Sequence, residues 1–373
     1  MKHPVFALFL ACGLSFLLTP HVVAQTATIR YLDRVKKAEV TIEGEIQTES
    51  PSAITYKIKS GKPDKISVLD LVEITYKAPG GVSAIDYRKP FNKSDEAFKA
   101  TNDDTRKKAV EDSLALFQEM LPRLAEAPAV LRQAQFRICQ LQSLDAEYDP
   151  TQVDPAIASL QKFLDKNSEG WQVVPATKAL AGLQEKKGDV AGAQKTYETL
   201  AARDDIPKET RQECDLLVAR ALIDANKFEV AERKLTAVAK SLPPDDPQGQ
   251  RVDVYLAACQ IAGGKLPEAE KKLQEILAKT SDEDVKALAY NTLGDCLQKQ
   301  GHPEEAFWQY LWVDVKYNQD KAEHARALFH LARLFEQLKK DDLRSKQCRE
   351  KLLKDKQYAG TEYQKRAMRE EKN

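Results

Sequence analysis

Apolar and polar residues change their rhythm partway along this chain. Between 38 and 47, "AEVTIEGEIQ" alternates, with Val40, Ile42, Gly44 and Ile46 on one parity. A period of two marks a strand with one buried face. "AITYKIK" (53–59) alternates again after the turn cluster "ESPS". "ISVLDLVEITYK" (66–77) resumes after "SGKPDK", with Ile66, Val68, Leu71, Ile74 and Tyr76, and "APGG" (78–81) ends it. Short strands joined by tight turns predict a small β-barrel or curled antiparallel sheet over 29–90. From about Ser94 the apolar spacing becomes helical, and Pro and Gly survive mainly as punctuation. The spacing predicts helices near 105–121, 128–145 and 153–166, a linker and degenerate helical repeat over 94–166.

A longer period then sets in. "KKGDVAGAQKTYETL", "ANKFEVAERKLTAV", "GGKLPEAEKKLQEI" and "KQGHPEEAFWQYLWV" superimpose without gaps. Their shared alanines, Ala193, Ala231, Ala269 and Ala306, are spaced 38, 38 and 37 residues. A further step of 38 reaches Arg344. Upstream of each lies a second helix, with Leu180, Val218, Leu256, Leu293 and Leu331 in one column. The next column is always small: Ala181, Ala219, Ala257, Gly294 and Ala332. Four residues past the alanines stand Tyr197, Leu235, Leu273, Tyr310 and Cys348. Small residues let the two helices of a unit approach, and the larger columns fill the space between them and toward the next unit.

This pattern resembles the tetratricopeptide repeat. The match is carried by Tyr290, Leu293, Gly294, Leu297, Ala306 and Tyr310 in the best copy, with Pro243 at a late-proline position. The departures are the period of 37–38, against 34 in that family, the loss of the first aromatic in several copies, and Arg344 in place of alanine. The resemblance implies a mostly α protein: a right-handed solenoid of about five to six helical hairpins. The array would span 171–357 and end in a capping helix and tail over 358–373. The preceding β segment resembles an SH3- or Sm-type barrel, with Gly44 as the point where a strand bends.

Helical-repeat surfaces bind proteins or peptides, so the resemblance implies a partner groove on the first helix of each pair. Carried across, the groove positions are Leu216, Arg220, Ile223, Val254, Ile261, Asn291, Asp295, Phe329 and Arg333. The middle of this set is aliphatic and suits an apolar or amphipathic segment. The alternative is that the protein's own N- or C-terminal helix fills the groove. The family's lysine–asparagine carboxylate clamp is missing, since Lys178 has Gly182 at the partner position. On the opposite side, "AFWQYLWVDVKY" leaves almost no polar face, and a helix apolar all round is a buried helix. Trp308, Leu311 and Trp312 predict a second contact surface. The β domain, a second copy or a partner would cover it.

Chemistry is poorly represented. There is no glycine-rich phosphate loop, nucleophile elbow, HExxH or calcium-loop pattern. His302 sits between Gly301 and Pro303, where a turn residue belongs, and Glu304 and Glu305 suit a helix start. His324 and His330 are six apart and share no helix face. The reading is therefore a non-enzyme with no cofactor or metal. Cys139, Cys214, Cys259, Cys296 and Cys348 have no paired spacing. Cys259 and Cys296 share one interior column, so buried thiols are expected over disulfides. Lys and Arg balance Asp and Glu at 57 each, which leaves no global field toward nucleic acid or anionic lipid.

The N-terminus reads as an export signal over 1–24: Lys2, an apolar run from Val5 to Leu18, then small residues to Ala24. Cys12 as a lipidation site would leave too little apolar chain before it. An uncleaved anchor is the alternative. No later segment is apolar enough to span a membrane. The combined expectation is an exported, periplasmic or extracellular scaffold or adaptor for a protein or peptide segment. The alternatives are an accessory docking subunit of an enzyme or assembly complex, or a self-associating structural protein.

Overall fold

The computed structural model describes residues 25–59, 61–242, 247–358 and 360–372. The segment read as an export signal, Cys12 within it, and Pro243 lie outside the described residues. Five strands come first: β1 (Gln25–Asp33), β2 (Ala38–Glu49), β3 (Ala53–Lys57), β4 (Asp64–Ser67) and β5 (Leu71–Tyr76). They form one antiparallel sheet in the order β4-β3-β2-β1-β5. β1 starts four residues ahead of the expected β region, and it holds a position between β2 and β5.

The stretch 66–77, expected as one strand, is two strands on opposite edges of the sheet. A turn breaks it, in which the Asp70 amide donates to Ser67 O at 3.0 Å and Leu32 N donates to Asp70 O at 2.8 Å. This short link has a geometric consequence. Four strand spacings would separate the edges of a flat sheet by about 19 Å, while four backbone steps reach about 14 Å at most. The sheet therefore curls. Gly44 lies where β2 passes from pairing β1 to pairing β3. A Cβ there would sit 3.1 Å from Tyr56 Cδ2 and 3.3 Å from Lys57 O, so a side chain at this crossing would make its neighbours give by a few tenths of an ångström. Ile29, Ile46, Ile54, Ile74 and Tyr76 fill the inner face.

Four helices follow: α1 (Ala84–Lys99), α2 (Asp103–Met120), α3 (Pro128–Tyr148) and α4 (Val153–Lys166). α1 falls partly inside the span read as β up to residue 90. Its start is set by Ser83, whose hydroxyl accepts from the Asp86 amide at 3.1 Å, and it runs through Pro90. One apolar core joins the sheet to these helices and to α5 (Val173–Lys187). Charged ties reinforce it. The nearly buried Glu49 carboxylate takes Arg132 at 2.6 Å and the Tyr76 hydroxyl. Arg137 takes Glu73 at 2.7 Å.

From α5 onward the helices alternate in pairs: α6 (Val190–Ala201), α7 (Lys208–Asp224), α8 (Phe228–Ala239), α9 (Pro247–Ala262), α10 (Leu266–Lys279), α11 (Glu283–Gln300), α12 (Pro303–Val315), α13 (Lys321–Leu334) and α14 (Asp342–Lys354), then α15 (Glu362–Lys372). Ala193, Ala231, Ala269 and Ala306 are buried at the crossings, as the repeat requires. In the α11/α12 pair the approach is tighter still, because a Cβ on Gly294 would lie 2.6 Å from Tyr310 Cζ.

The last pair departs from the expected register. A π turn over Phe335–Lys339 follows α13, and a π turn accommodates one extra residue. The column therefore falls on buried Ser345, with buried Leu352 two turns on along the same face, while Arg344 is exposed and lies over the Phe335 ring. Cys139, Cys214, Cys259 and Cys296 are buried and Cys348 is partly so, all with free thiols. Burial pushes the Cys214 thiol up to about 12 and those of Cys259 and Cys296 up to about 11, which keeps them protonated and unreactive.

Candidate functional site

The first helices of the pairs, α7, α9, α11 and α13, line a concave groove. At its centre a cavity of about 130 Å³ is bounded by Leu216, Leu217, Tyr255 and Leu288 together with Glu213, Arg220, Arg251, Asp284, Asp320 and Glu323. The groove is thus mixed, with an aliphatic floor as expected and charged side chains that the expectation lacked. Leu216 lines the cavity with its side chain mostly buried, whereas Val254 and Ile261 are buried in the cores between helices, and Ile223 packs half-buried against one of them. One residue turns a helix by about 100°, so positions carried across one place off exchange groove for core. Arg251 and Tyr255 take the places expected of Val254. The signal was available in Gln248, Arg251 and Tyr255, polar residues at spacings of three and four on one helix face.

Arg220 does face the groove. Burial works against its charge, but Tyr255, Glu323, Asp224 and Asp320 outweigh that and raise its pKa. Asn291 is buried rather than open. Its amide donates to Glu323 O and Oε2, both at 2.8 Å. Asp295 is also engaged, accepting from the Tyr310 hydroxyl at 2.6 Å and pairing with Arg326. Burial opposes its ionisation, yet Arg326 and His330 hold its carboxyl below the usual range. His330 stacks on Tyr310 with ring centroids 4.5 Å apart. Burial pushes its imidazole down to about 4, helped by Arg326 and Arg333 and opposed by Asp295.

The C-terminal segment returns across the concave side. Tyr363 of α15 packs on Phe329 and His330 at 5.5 and 5.7 Å between centroids. Phe329 is therefore covered by the chain's own helix, while Arg333 stays exposed with its guanidinium over the Phe329 ring. Further along, Lys365 Nζ donates to Glu185 O of α5 at 2.9 Å. The turn leading into α15 is pinned through His324, whose ring bridges Asp314 at 2.7 Å and the Tyr358 hydroxyl at 2.9 Å. Between this segment and α5, α7 and the start of α13 lies a cavity of about 610 Å³, with Glu185, Lys186, Arg220 and Asp224 in its walls.

On the convex side, Trp308 and Trp312 are 55% and 48% exposed, while Leu311 is partly covered. Trp312 stacks on Tyr290 at 6.3 Å, and Tyr290 on Tyr317 at 5.5 Å. The β domain does not cover these rings, since its sheet is seated on α3 through Arg132, Gln133 and Arg137. His302 occupies the N-cap position of α12 and is exposed. Among the described residues, no helix is long and apolar enough to cross a membrane.

The tetratricopeptide repeat family model matches residues 216–284, from α7 to the start of α11. Among curated proteins, none matches the chain. A crystal structure of a tetratricopeptide repeat protein from Parabacteroides merdae is 13% identical, with a TM-score of 0.53 over 76% of this chain and 99% of that one. The Rap protein complexed with competence and sporulation factor is 14% identical, with a TM-score of 0.47 over 73% of this chain and 75% of that one. A tetratricopeptide repeat protein from Thermus thermophilus is 20% identical, with a TM-score of 0.38 over 54% of this chain and 98% of that one.

Proposed function

We propose that this tetratricopeptide-type α-solenoid, which carries a curled antiparallel sheet at its N-terminal end, serves as a non-catalytic scaffold or adaptor that holds a protein or peptide segment in its concave groove, outside the cytoplasm. The observation that carries this is the groove itself. Arg220, Arg251, Tyr255, Asp284 and Glu323, from the first helices of four successive pairs, converge on one cavity, whose charged groups can read a chain of matching charge. Export is supported by the sequence of residues 1–24. Gln25, the first residue after the predicted cut, belongs to β1. The SH3- or Sm-like reading of the β domain is supported by its strand order and by the Gly44 crossing.

A second reading, an accessory subunit or a self-associating protein, is favoured by the exposed Trp308 and Trp312. One comparison separates these. Wild-type chain, an Arg251→Glu/Tyr255→Ala groove variant and a Trp308→Ala/Trp312→Ala variant are used to recover partners from the exported fraction, with size exclusion of each pure protein. The scaffold reading expects a partner kept by wild type and by the tryptophan variant but lost by the groove variant. Identical recovery by all three, or recovery of the chain only from the cytoplasm, defeats it.

A further inference from the structure

A second cleft, of about 550 Å³, lies where the sheet meets the helices, well within the range in which specific ligands are held. One wall is the edge strand β5 with the turn before it. The other wall is built by α1, α3 and α5. β5 pairs with β1 on one side. On its other side the Gln133 amide reaches Ile74 O at 3.3 Å. The pairing register steps between Arg30 and Tyr31, which leaves Val72 as an extra residue on the strand, turned to the cleft. Gln133 and the bulge close most of that edge to a further strand, so the cleft offers an extended chain its side-chain walls, with backbone contact confined to the stretch around Val72.

Apolar side chains and charge say what such a chain should carry. Leu69, Val72 and Phe98 rim the cleft while 38%, 41% and 43% exposed. Four cations line it, Arg30, Lys99, Arg137 and Lys178, against two carboxylates, Glu73 and Asp95. The carboxylates are engaged by two of these cations: Glu73 by Arg137 at 2.7 Å and Arg30 at 3.4 Å, Asp95 by Arg137 at 3.6 Å. Lys178 pairs with Glu213 at 2.5 Å, so the surplus is Lys99, which has no carboxylate partner among the described residues. We propose that this cleft binds an extended segment of a partner protein in which acidic residues alternate with apolar ones, laid across the bulge at Val72 with an acidic residue at Lys99.

The proposal is independent of the concave groove, and the test keeps the two apart. A fluorescein-labelled decapeptide alternating Asp with Leu and Val is titrated by anisotropy against the full chain at low salt, beside its counterpart with Lys for Asp. The expected result is binding of the acidic peptide about tenfold tighter than the lysine peptide, since complementary charge sets specificity. Lys99→Glu or Val72→Glu should each weaken it about tenfold, with thermal midpoints unchanged because both residues lie at the surface. Arg251→Glu should leave it unaltered. No binding of the acidic peptide, or equal binding of the two peptides, overturns the proposal. So does weakening by Arg251→Glu with the cleft variants unaffected, a result that would place the segment in the groove instead.

Discussion

The N-terminal third and the repeat array bury their apolar residues in opposite ways. In the first, one core gathers residues from Ala27 to Leu183, so that strands meet helices from distant parts of the chain. In the array the core breaks into clusters, one spanning Val174 to Cys259 and the next Val254 to Phe335. Each cluster draws on neighbouring pairs, as a one-dimensional stack should. The first region fails as a unit when a single tie is cut, whereas the second loses stability locally.

Arg132→Ala tests this most severely. It leaves the Glu49 carboxylate buried beside Tyr76 without its cation, at a cost of about 3–5 kcal/mol. Chemical denaturation followed by far-UV dichroism should then split into two transitions, the sheet undocking first and the array persisting. A single transition shifted as a whole would show that the two regions are one cooperative unit.

Next in size is a pH effect inside the array. The His330 pKa is lowered to about 4 in the fold, against about 6.5 when unfolded. Between those values the unfolded chain binds more protons, so stability is intact above pH 6.5 and falls as pH drops toward 4, by about 3 kcal/mol. The groups facing the ring are Asp295, Arg326, Arg333 and Arg366. Asp295, held below its usual range, acts in the same direction at lower pH. A His330→Gln variant should flatten the curve between pH 6.5 and 4, and urea midpoints measured across that window read it directly.

Gly294→Ala is the third test. The added methyl collides with the Tyr310 ring and should cost about 1–3 kcal/mol by overpacking. Two other pairs suggest a remedy: the same columns hold Ala219 with Leu235 and Ala257 with Leu273, all buried, while Ala181 with Tyr197 shows that alanine and tyrosine also coexist there. The double variant Gly294→Ala/Tyr310→Leu should therefore recover packing, though it forfeits the hydrogen bonds of Tyr310 to Asp295 and Gln298. Thermal midpoints that rank the double variant below Gly294→Ala would show that those bonds outweigh the fit.

The array was legible because its helices repeat at one period, and a small residue at each crossing announces the fold before any contact is known. The groove was less legible. Its residues differ from core residues by one helical step, and Val254 and Tyr255 are adjacent in sequence but opposite in role. The register of α14 was hidden for a related reason. A π turn adds a residue without leaving a mark in composition, so counting forward reached Arg344 instead of Ser345. In the sheet, strand pattern was readable, but the division of 66–77 between opposite edges depends on a turn at Asp70 whose partner, Leu32, lies in a strand that polar residues disguised.

Two smaller effects sharpen the contrast between closed and open surfaces. Tyr358→Phe removes the hydroxyl that meets His324, worth about 1 kcal/mol. Amide exchange should quicken in α15 while α7 to α11 remain unchanged. Trp308→Ala/Trp312→Ala removes rings already about half exposed, so the isolated chain should lose less than about 3 kcal/mol, the level of surface changes and two aromatic contacts, with Tyr290 and Phe307. A larger loss in the pure protein would mean that the stack with Tyr290 is structural and that the rings do not await a partner.

The exposed contact between Lys365 and Glu185 joins points 180 positions apart and ties the C-terminal helix to the side of the trough where the 610 Å³ space lies. Were the proposed segment to bind there, its kinetics would tell whether α15 yields. Capture past a fixed helix would speed up in proportion to concentration. Capture that needs α15 to move would level off at the opening rate of that helix, and release would be slowed by the same barrier.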